Sequence, residues 1–270
     1  MRLHPLLHLA LTAASAIALV PTIFMLVTAL KSQEEYQADK TGLPDVFVLD
    51  HFSRILFDTP IFLWMANSLI LVAGAVAVSL VVSCLAAYAI ARLQFAGRDT
   101  IFTLSTALMA VPPVVLIVPM FVLYSQLGLI STYSGAIIIY AGLITPFSVY
   151  LLVTFFRTLP QELMDAAVMD GAGHLQILIR VVLPLSLAPV LTLVIVNSLF
   201  VWNDLLMAVI FLQDDAKKTV MAGIAVFQGR YNNQIPLTMA GMAVAAAPML
   251  ILYLAFQRHF VRGLMAGAVK

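Results

Sequence analysis

Long stretches without a charged residue set the pattern of this chain. A helix needs about 20 residues to cross the hydrocarbon of a bilayer. Leu9–Leu30 is one uncharged run of that length, and the run between Asp58 and Arg92 fits a span over residues 65–90. Nothing is charged from Thr100 to Phe156, which is too long for one crossing; the polar, glycine-bearing Ser125–Gly135 divides it into spans over 101–124 and 136–156. Further apolar runs cover 187–211, which contains Asp204, and 237–257. Hydrocarbon offers backbone N–H and C=O groups no partner, so each run is expected to be a helix. The pattern predicts an all-α integral membrane protein, one transmembrane domain over residues 1–270 with six transmembrane helices.

Composition agrees. Hydrophobic residues make up 63% of the chain and charged ones 10%, and the mean hydropathy is +1.05. A soluble domain carries roughly a quarter charged residues, so lipid is the main solvent here. A net charge of +1 gives no sign of nucleic-acid binding, and the single cysteine, Cys84, lies in an apolar span as a small packing residue. With both termini placed in the cytoplasm, Arg2, Arg92, Arg98, Arg157, Arg180, Arg258, Arg262 and Lys270 face inside, while Lys31, Lys40, Arg54, Lys217, Lys218 and Arg230 face outside. The acids sharpen the contrast, and the short "ARLQFAGRDT" with its two arginines marks the inner side. The first run is longer than a signal-peptide core and Lys31 follows with no convincing cleavage site, which favours a retained helix.

Several chemistries have no sequence support. There is no G-x-x-x-x-G-K-[ST] loop, no H-E-x-x-H and no G-x-S-x-G. The five histidines are scattered, none at metal-ligand spacing from a partner. Asp204 is the only ionisable group within a span, so an intramembrane dyad is missing. No catalytic residue, metal site or bound cofactor is expected.

The polar stretch after Arg157 is the exception in an apolar chain. "TLPQELMDAAVMDGAG" predicts a short helix from about Pro160 to Met169, with Thr158 and Gln161 at capping-box spacing and Glu162 at the positive end. Gly171 and Gly173 are placed to terminate it. Leu163, Ala166, Ala167 and Asp170 share a face by i, i+3, i+4, i+7 spacing. Either it is a capped surface connector, or its small residues let another surface approach closely. A second helical segment then runs through "HLQILIRVVL" to Pro184 and Pro189.

This stretch resembles the cytoplasmic signature loop of binding-protein-dependent ABC importer permeases, E-A-A-x-x-D-G-A followed by I/V-x-L-P. It stands here as Asp165-Ala166-Ala167, Asp170-Gly171-Ala172 and Val181-Val182-Leu183-Pro184, with Asp165 where the family usually carries glutamate. "WNDLLMAVIFL" (Trp202–Leu212), "AAYAIARLQFAGRD" (Ala86–Asp99) and the tail "QRHFVRGLMAGAVK" (Gln257–Lys270) are similar to the carbohydrate branch, of the maltose-importer type and its second membrane subunit. The resemblance implies a type I ABC importer permease in the bacterial inner membrane. Its partners would be a second homologous permease, two ATP-binding subunits that hold ATP and Mg, and an extracytoplasmic solute-binding protein that delivers a sugar or related polyol. The loop over 158–185 would contain a coupling helix between spans 4 and 5, with Glu162, Asp165, Ala166, Ala167, Asp170 and Gly171 against an ATPase subunit.

Other positions stay open between two readings. Asn197, Trp202, Asn203 and Asp204, with Asn67, either line a polar path for a sugar or form hydrogen-bond nodes between helices. The tail over 258–270, with Gly263, Gly267 and Lys270, either reaches the ATPase subunits or is a disordered end. Asp214–Pro236 is either a solvated outer loop or a contact for the binding protein. The competing class is a secondary transporter or channel subunit, and the lone intramembrane carboxylate speaks against it.

Overall fold

The protein was analysed as a computed structural model that describes residues 5–230 and 234–268, with backbone alone for 5–6, 226–230 and 257–268. The described residues form helices and no strand. In chain order these are α1 (Pro5–Ala29), α2 (Gln33–Ala38), α3 (Asp50–Phe57), α4 (Ile61–Arg92), α5 (Arg98–Leu108), α6 (Pro113–Gln126), α7 (Tyr133–Phe156), α8 (Gln161–Met169), α9 (His174–Ile177), a π turn (Leu178–Val182), α10 (Leu183–Leu185), α11 (Leu187–Asn203), α12 (Leu206–Phe211), a 3₁₀ turn (Asp215–Lys217), α13 (Val220–Arg230) and α14 (Ile235–Ala268). Among the described residues, four stretches are long and apolar enough to cross a membrane: Leu7–Ala29, Ile61–Arg92, Tyr133–Phe156 and Ile235–Phe256. Two bent pairs raise the number to as many as six if each pair is one span.

The bends replace two of the straight spans expected from charge alone. The stretch expected as one helix over 101–124 is α5 and α6, which meet at 99°. Pro112 and Pro113 cause the break: Pro113 is in the first turn of α6, where its missing N–H costs nothing, while its ring favours extended backbone at Pro112, which has φ −62° and ψ 128°. The stretch expected over 187–211 stops at Asn203, turns through Asp204 in extended backbone, and restarts as α12. On its other side, His174–Leu185 meets α11 at 80°. Pro184 cannot donate to residue 180, and the backbone passes it as a π turn, after which Ser186 N donates to the carbonyls of Val182 and Leu183, both at 3.0 Å. The sixth expected span, 237–257, is part of the longer α14. The tail from Gln257, read as either a contact or a disordered end, continues as helix to Ala268 and includes Gly263 and Gly267; Lys270 lies outside the described residues.

By its internal packing the chain forms two compact units. One comprises Met1–Leu63 with Ala222–Ala247, the other Trp64–Met221 with Pro248–Lys270. In the first, the segment after α1 folds back on its end. Val48 N donates to Leu30 O (2.8 Å), the buried Lys31 Nζ donates to Asp39 O (2.8 Å), and His51 Nε2 lies 3.0 Å from Lys31 O. Gly241 of α14 lets that helix lie close to Ile55 of α3, whose side chain would be 3.3 Å from an added Cβ.

The second unit contains the larger apolar core. The last turns of α4 and α7 pack with the π turn and α11 through Ala87, Ile90, Leu152, Phe156, Val182 and Leu193. Gly74 permits α4 to approach α7: a Cβ there would come 2.6 Å from Ile137 Cδ1.

Candidate functional site

The polar loop between α7 and α9 is largely exposed. Its helix starts at Gln161 with Pro160 as N-cap, one residue inside the expected boundary. The expected Thr158–Gln161 capping box does not form. Gln161 is already the first helical residue, and Thr158 Oγ1 instead donates to Phe155 O (2.7 Å).

The C-terminal end of α8 is closed by backbone geometry. Gly171 has φ +80°, a left-handed conformation that costs other L-residues about 1–2 kcal/mol. Gly171 N donates to Val168 O (2.9 Å) and Ala172 N to Ala167 O (3.0 Å), the paired bonds of a Schellman cap. Gly173, expected as a second terminator, begins the next helix: its N–H donates to Gln176 Oε1 at 3.0 Å.

One side of α8 is fixed and the rest is presented outward. Met164 is buried in the core with Ile177 and Phe156, and Ala167 packs partly against the same cluster. Glu162, Asp165, Ala166, Asp170 and Gly171 are exposed, as are Leu163, Val168 and Met169, the last at 87%. The face expected from spacing is therefore split, with Ala167 turned toward its own chain and Leu163, Ala166 and Asp170 outward. A pocket of ≈ 420 Å³ beside the cap is lined by Asp170, Gly171, Gln176 and Arg180.

Contacts that sequence reasoning missed hold this helix from both ends. Arg92, the last residue of α4, donates through Nη2 to Leu159 O (2.7 Å) and to Phe156 O, and through Nη1 to Gln161 Oε1 (2.9 Å). Gln161 Nε2 in turn donates to Asp165 Oδ1 (3.0 Å). One turn back along α4, Tyr88 OH lies 3.2 Å from His174 Nδ1, just beyond the cap. Arg157 pairs with Asp99 (3.6 Å) and lies 5.0 Å over the Phe102 ring. A basic residue at the end of a span was the only signal for Arg92, and it reads equally well as a topology marker.

The structure gives the polar residues of the spans specific partners. Asn67 Nδ2 donates to the carbonyls of Ala216 and Lys218, both at 2.9 Å, and its Oδ1 accepts from Tyr133 OH (2.7 Å). The buried Asn197 donates to Ser148 Oγ at 2.9 Å. Trp202 is 2% exposed, which keeps its ring away from any open path in this chain. Asn203 is exposed and donates to Leu199 O (2.9 Å). Asp204 Oδ1 accepts from Tyr140 OH (2.9 Å), Met207 N (2.9 Å) and Ala208 N (3.3 Å), so it takes up the unpaired amides that open α12. Asn67, Asn197 and Asp204 thus join separate elements by hydrogen bonds, Asn203 bonds within its own helix, and among the four path candidates Asn203 and Asp204 alone retain exposure.

Besides the contacts midway along the spans, such as Asn197–Ser148 and Tyr140–Asp204, two sets of contacts gather toward the two ends of α4. Residues 88–99 meet 156–174, whereas 67–68 meet 133 and 216–220, and Ser131, at φ +55°, is tied to Phe211 O, Gln213 N and Asp214 N.

Comparisons with known proteins converge on one family. Residues 79–265 match the model of the binding-protein-dependent transport system inner membrane component. The chain is 33% identical over 267 residues to the sulfoquinovosyl glycerol transport system permease protein SmoH of Agrobacterium fabrum, covering 98% of this chain and 94% of that protein. It is 32% identical over 252 residues to the melibiose/raffinose/stachyose import permease protein MelC of Bacillus subtilis, covering 93% and 91%. Its fold is similar to a chain in the crystal structure of a bacterial ABC transporter involved in the import of the acidic polysaccharide alginate, with a TM-score of 0.80 at 23% identity over 94% of this chain and 95% of that one. A multi-pass helical membrane chain with a capped polar helix between its spans, matched over most of its length, belongs to the inner-membrane components of binding-protein-dependent transport systems.

Proposed function

We propose that this chain is one of two membrane subunits of an ATP-driven importer for a sugar or related polyol. The observation that carries the reading is α8, a helix capped at its end, anchored by the buried Met164 with Ala167 beside it, and otherwise presented outward. A bare connector gains nothing from exposing Leu163, Val168 and Met169. A helix that seats in a partner buries them. The partner is an ATP-binding subunit, met by Glu162, Asp165, Ala166, Asp170 and Gly171, and ATP and Mg reside in that subunit.

A second homologous permease completes the path, and an extracytoplasmic solute-binding protein delivers the sugar. Closure of the ATPase pair moves α8, and the spans exchange inward- and outward-facing states as rigid bodies. The two sets of contacts in the second unit support an arrangement with α8 and the chain termini in the cytoplasm and residues 131–133 and 211–220 outside. Asn203 and Asp204, at the break between α11 and α12, are the polar contacts this chain offers a sugar, and the C-terminal segment over 258–270, to which Gly263, Gly267 and Lys270 belong, is a contact for the ATPase subunits. The sugar class rests on the names of the relatives.

Co-expression with a partner permease, the ATPase and the binding protein tests the reading. The expected result is co-purification of the four and ATP-dependent uptake, into proteoliposomes, of a sugar from a panel of melibiose, raffinose, maltose and sulfoquinovosyl glycerol. Uptake driven by a proton or sodium gradient, with no bound ATPase, sinks the proposal.

A further inference from the structure

The last turn of α4 holds the loop that carries α8 at both of its ends. Tyr88 and Arg92 are i and i+4, neighbours on one face of the helix. Arg92 holds the entry, residues 156–161, and Tyr88 holds the exit at His174. Resting on the reading that α8 seats in an ATPase subunit, we propose that Arg92 is the positioning residue that makes α4 follow α8, through a relay of Arg92, Gln161 and Asp165.

The chemistry of each member fits that role. α7 ends at Phe156, so Phe156 O lacks the i+4 bond of a continuing helix and accepts only a 3.3 Å turn bond from Leu159 N, which leaves it able to take a side-chain donor as well. The planar guanidinium supplies Nη2 to Phe156 O and Leu159 O, and Nη1 to Gln161 Oε1. A lysine ammonium carries its three donors on one atom and cannot span two carbonyls and an amide in this way. The orientation of the Gln161 amide follows from its neighbours. Arg92 is a donor only, so it requires the oxygen; the Asp165 carboxylate is an acceptor, so it requires the nitrogen. Gln161 thus joins a cation on a span to an anion on α8, with 2.9 Å on one side and 3.0 Å on the other. This also gives a reason for Asp165, the residue with the shorter side chain at that place in the loop. One of its oxygens is held by its own helix, i to i+4.

The relay is a constraint on rotation. Met164 and the partly packed Ala167, i and i+3, fix the depth of α8 along one line of the core, which leaves the helix able to roll about that line. A second tether, one turn away at Gln161, removes that freedom, so a push on the outer face of α8 displaces α4 and does not roll α8 in place.

The test uses the reconstituted four-component complex with the panel sugar that the wild type carries, and measures sugar imported per ATP hydrolysed. Gln161→Ala changes an exposed side chain, and Arg92→Ala removes the whole grip. Both are expected to co-purify with the ATPase as the wild type does, and to import roughly tenfold less sugar per ATP, the scale of one charge-assisted hydrogen bond. The double variant should be no worse than Arg92→Ala, since a relay broken once is broken, and Arg92→Lys should recover only part of the loss. A merely structural role lowers the amount of complex and leaves the ratio unchanged. An unchanged ratio in Gln161→Ala, or losses that add in the double variant, overturns the relay. A wild-type complex that imports none of the sugars under ATP overturns the transport reading instead.

Discussion

Gly171 offers a perturbation whose size follows from the geometry. Its φ of +80° lies in the left-handed region, yet a Cβ built there meets nothing within 4 Å. Substitution in the free chain therefore strains the backbone without a clash. For alanine the strain is about 1–2 kcal/mol, and for a β-branched residue it is larger. Against it stand the two bonds of the cap, Gly171 N to Val168 O and Ala172 N to Ala167 O, at about 0.5–1.5 kcal/mol each. Alanine brings the two near balance, so the last turn of α8 frays in a large fraction of molecules. Valine tips the balance to the frayed form, while asparagine, which tolerates this conformation, keeps the cap. Three observables should then fall in one order, glycine close to asparagine, then alanine, then valine: amide protection over residues 168–172 in detergent, co-purification of the ATPase, and ATP-driven uptake. Membrane insertion should stay normal throughout. If asparagine fails as badly as valine while its amides stay protected, the determinant is room against the partner and the backbone argument is wrong.

Other outcomes follow from single nodes. Asn67→Ala leaves the carbonyls of Ala216 and Lys218 and the Tyr133 hydroxyl without their partner; the purified protein should lose about 2–4 kcal/mol, read as a lower melting temperature that glutamine does not restore. Asp204→Asn keeps an acceptor for Tyr140, Met207 and Ala208 and should melt near the wild type, whereas Asp204→Ala should lose about 1–3 kcal/mol. A change in the sugars carried by Asp204→Asn with no change in melting would reassign this carboxylate to the substrate path. The exposed Asp39 carboxylate is held below the usual carboxylate range by the N–H groups of Gly42 and Thr41. Its contribution is complete above the ordinary carboxylate value and is lost as pH falls through the lowered one. Hydrogen exchange at Thr41 and Gly42 should show that acid transition, and Asp39→Asn should abolish it.

Charge spacing made the all-helical membrane fold legible, because a bilayer tolerates neither charges nor open backbone and so writes its thickness into the chain. The same rule is blind to bends. Between Thr100 and Phe156 no charge marks a boundary, and the one signal for the 99° break, Pro112–Pro113, lies in the middle of a run read by length. At Asp204 no proline is present at all; the helix stops because a carboxylate can cap a new one, which depends on where the next turn goes. The polar helix was legible for the opposite reason, since polar residues in an apolar chain need an explanation. Its supports were not. Arg92 is 69 residues from Gln161, Tyr88 is 86 from His174, and Asn67 is 149 and more from the carbonyls it holds. Side-chain bonds over such distances obey no local periodicity, and each partner alone looks like an ordinary residue for its place.

α4 differs from the other long spans in having no proline: Pro21, Pro146 and Pro248 interrupt α1, α7 and α14. Its 32 residues make a rod of about 48 Å, against a hydrocarbon thickness of about 30 Å. Such a rod works as a lever. A tilt of about 10° carries one end about 8 Å relative to the other with no internal hydrogen bond broken. A displacement applied at Arg92 arrives at Asn67, on the far side of the bilayer, undiminished by a hinge. Under the proposed coupling the 216–218 turn that holds Asn67 is dragged with it, so the loops at that end of α4 move with a single stiff helix.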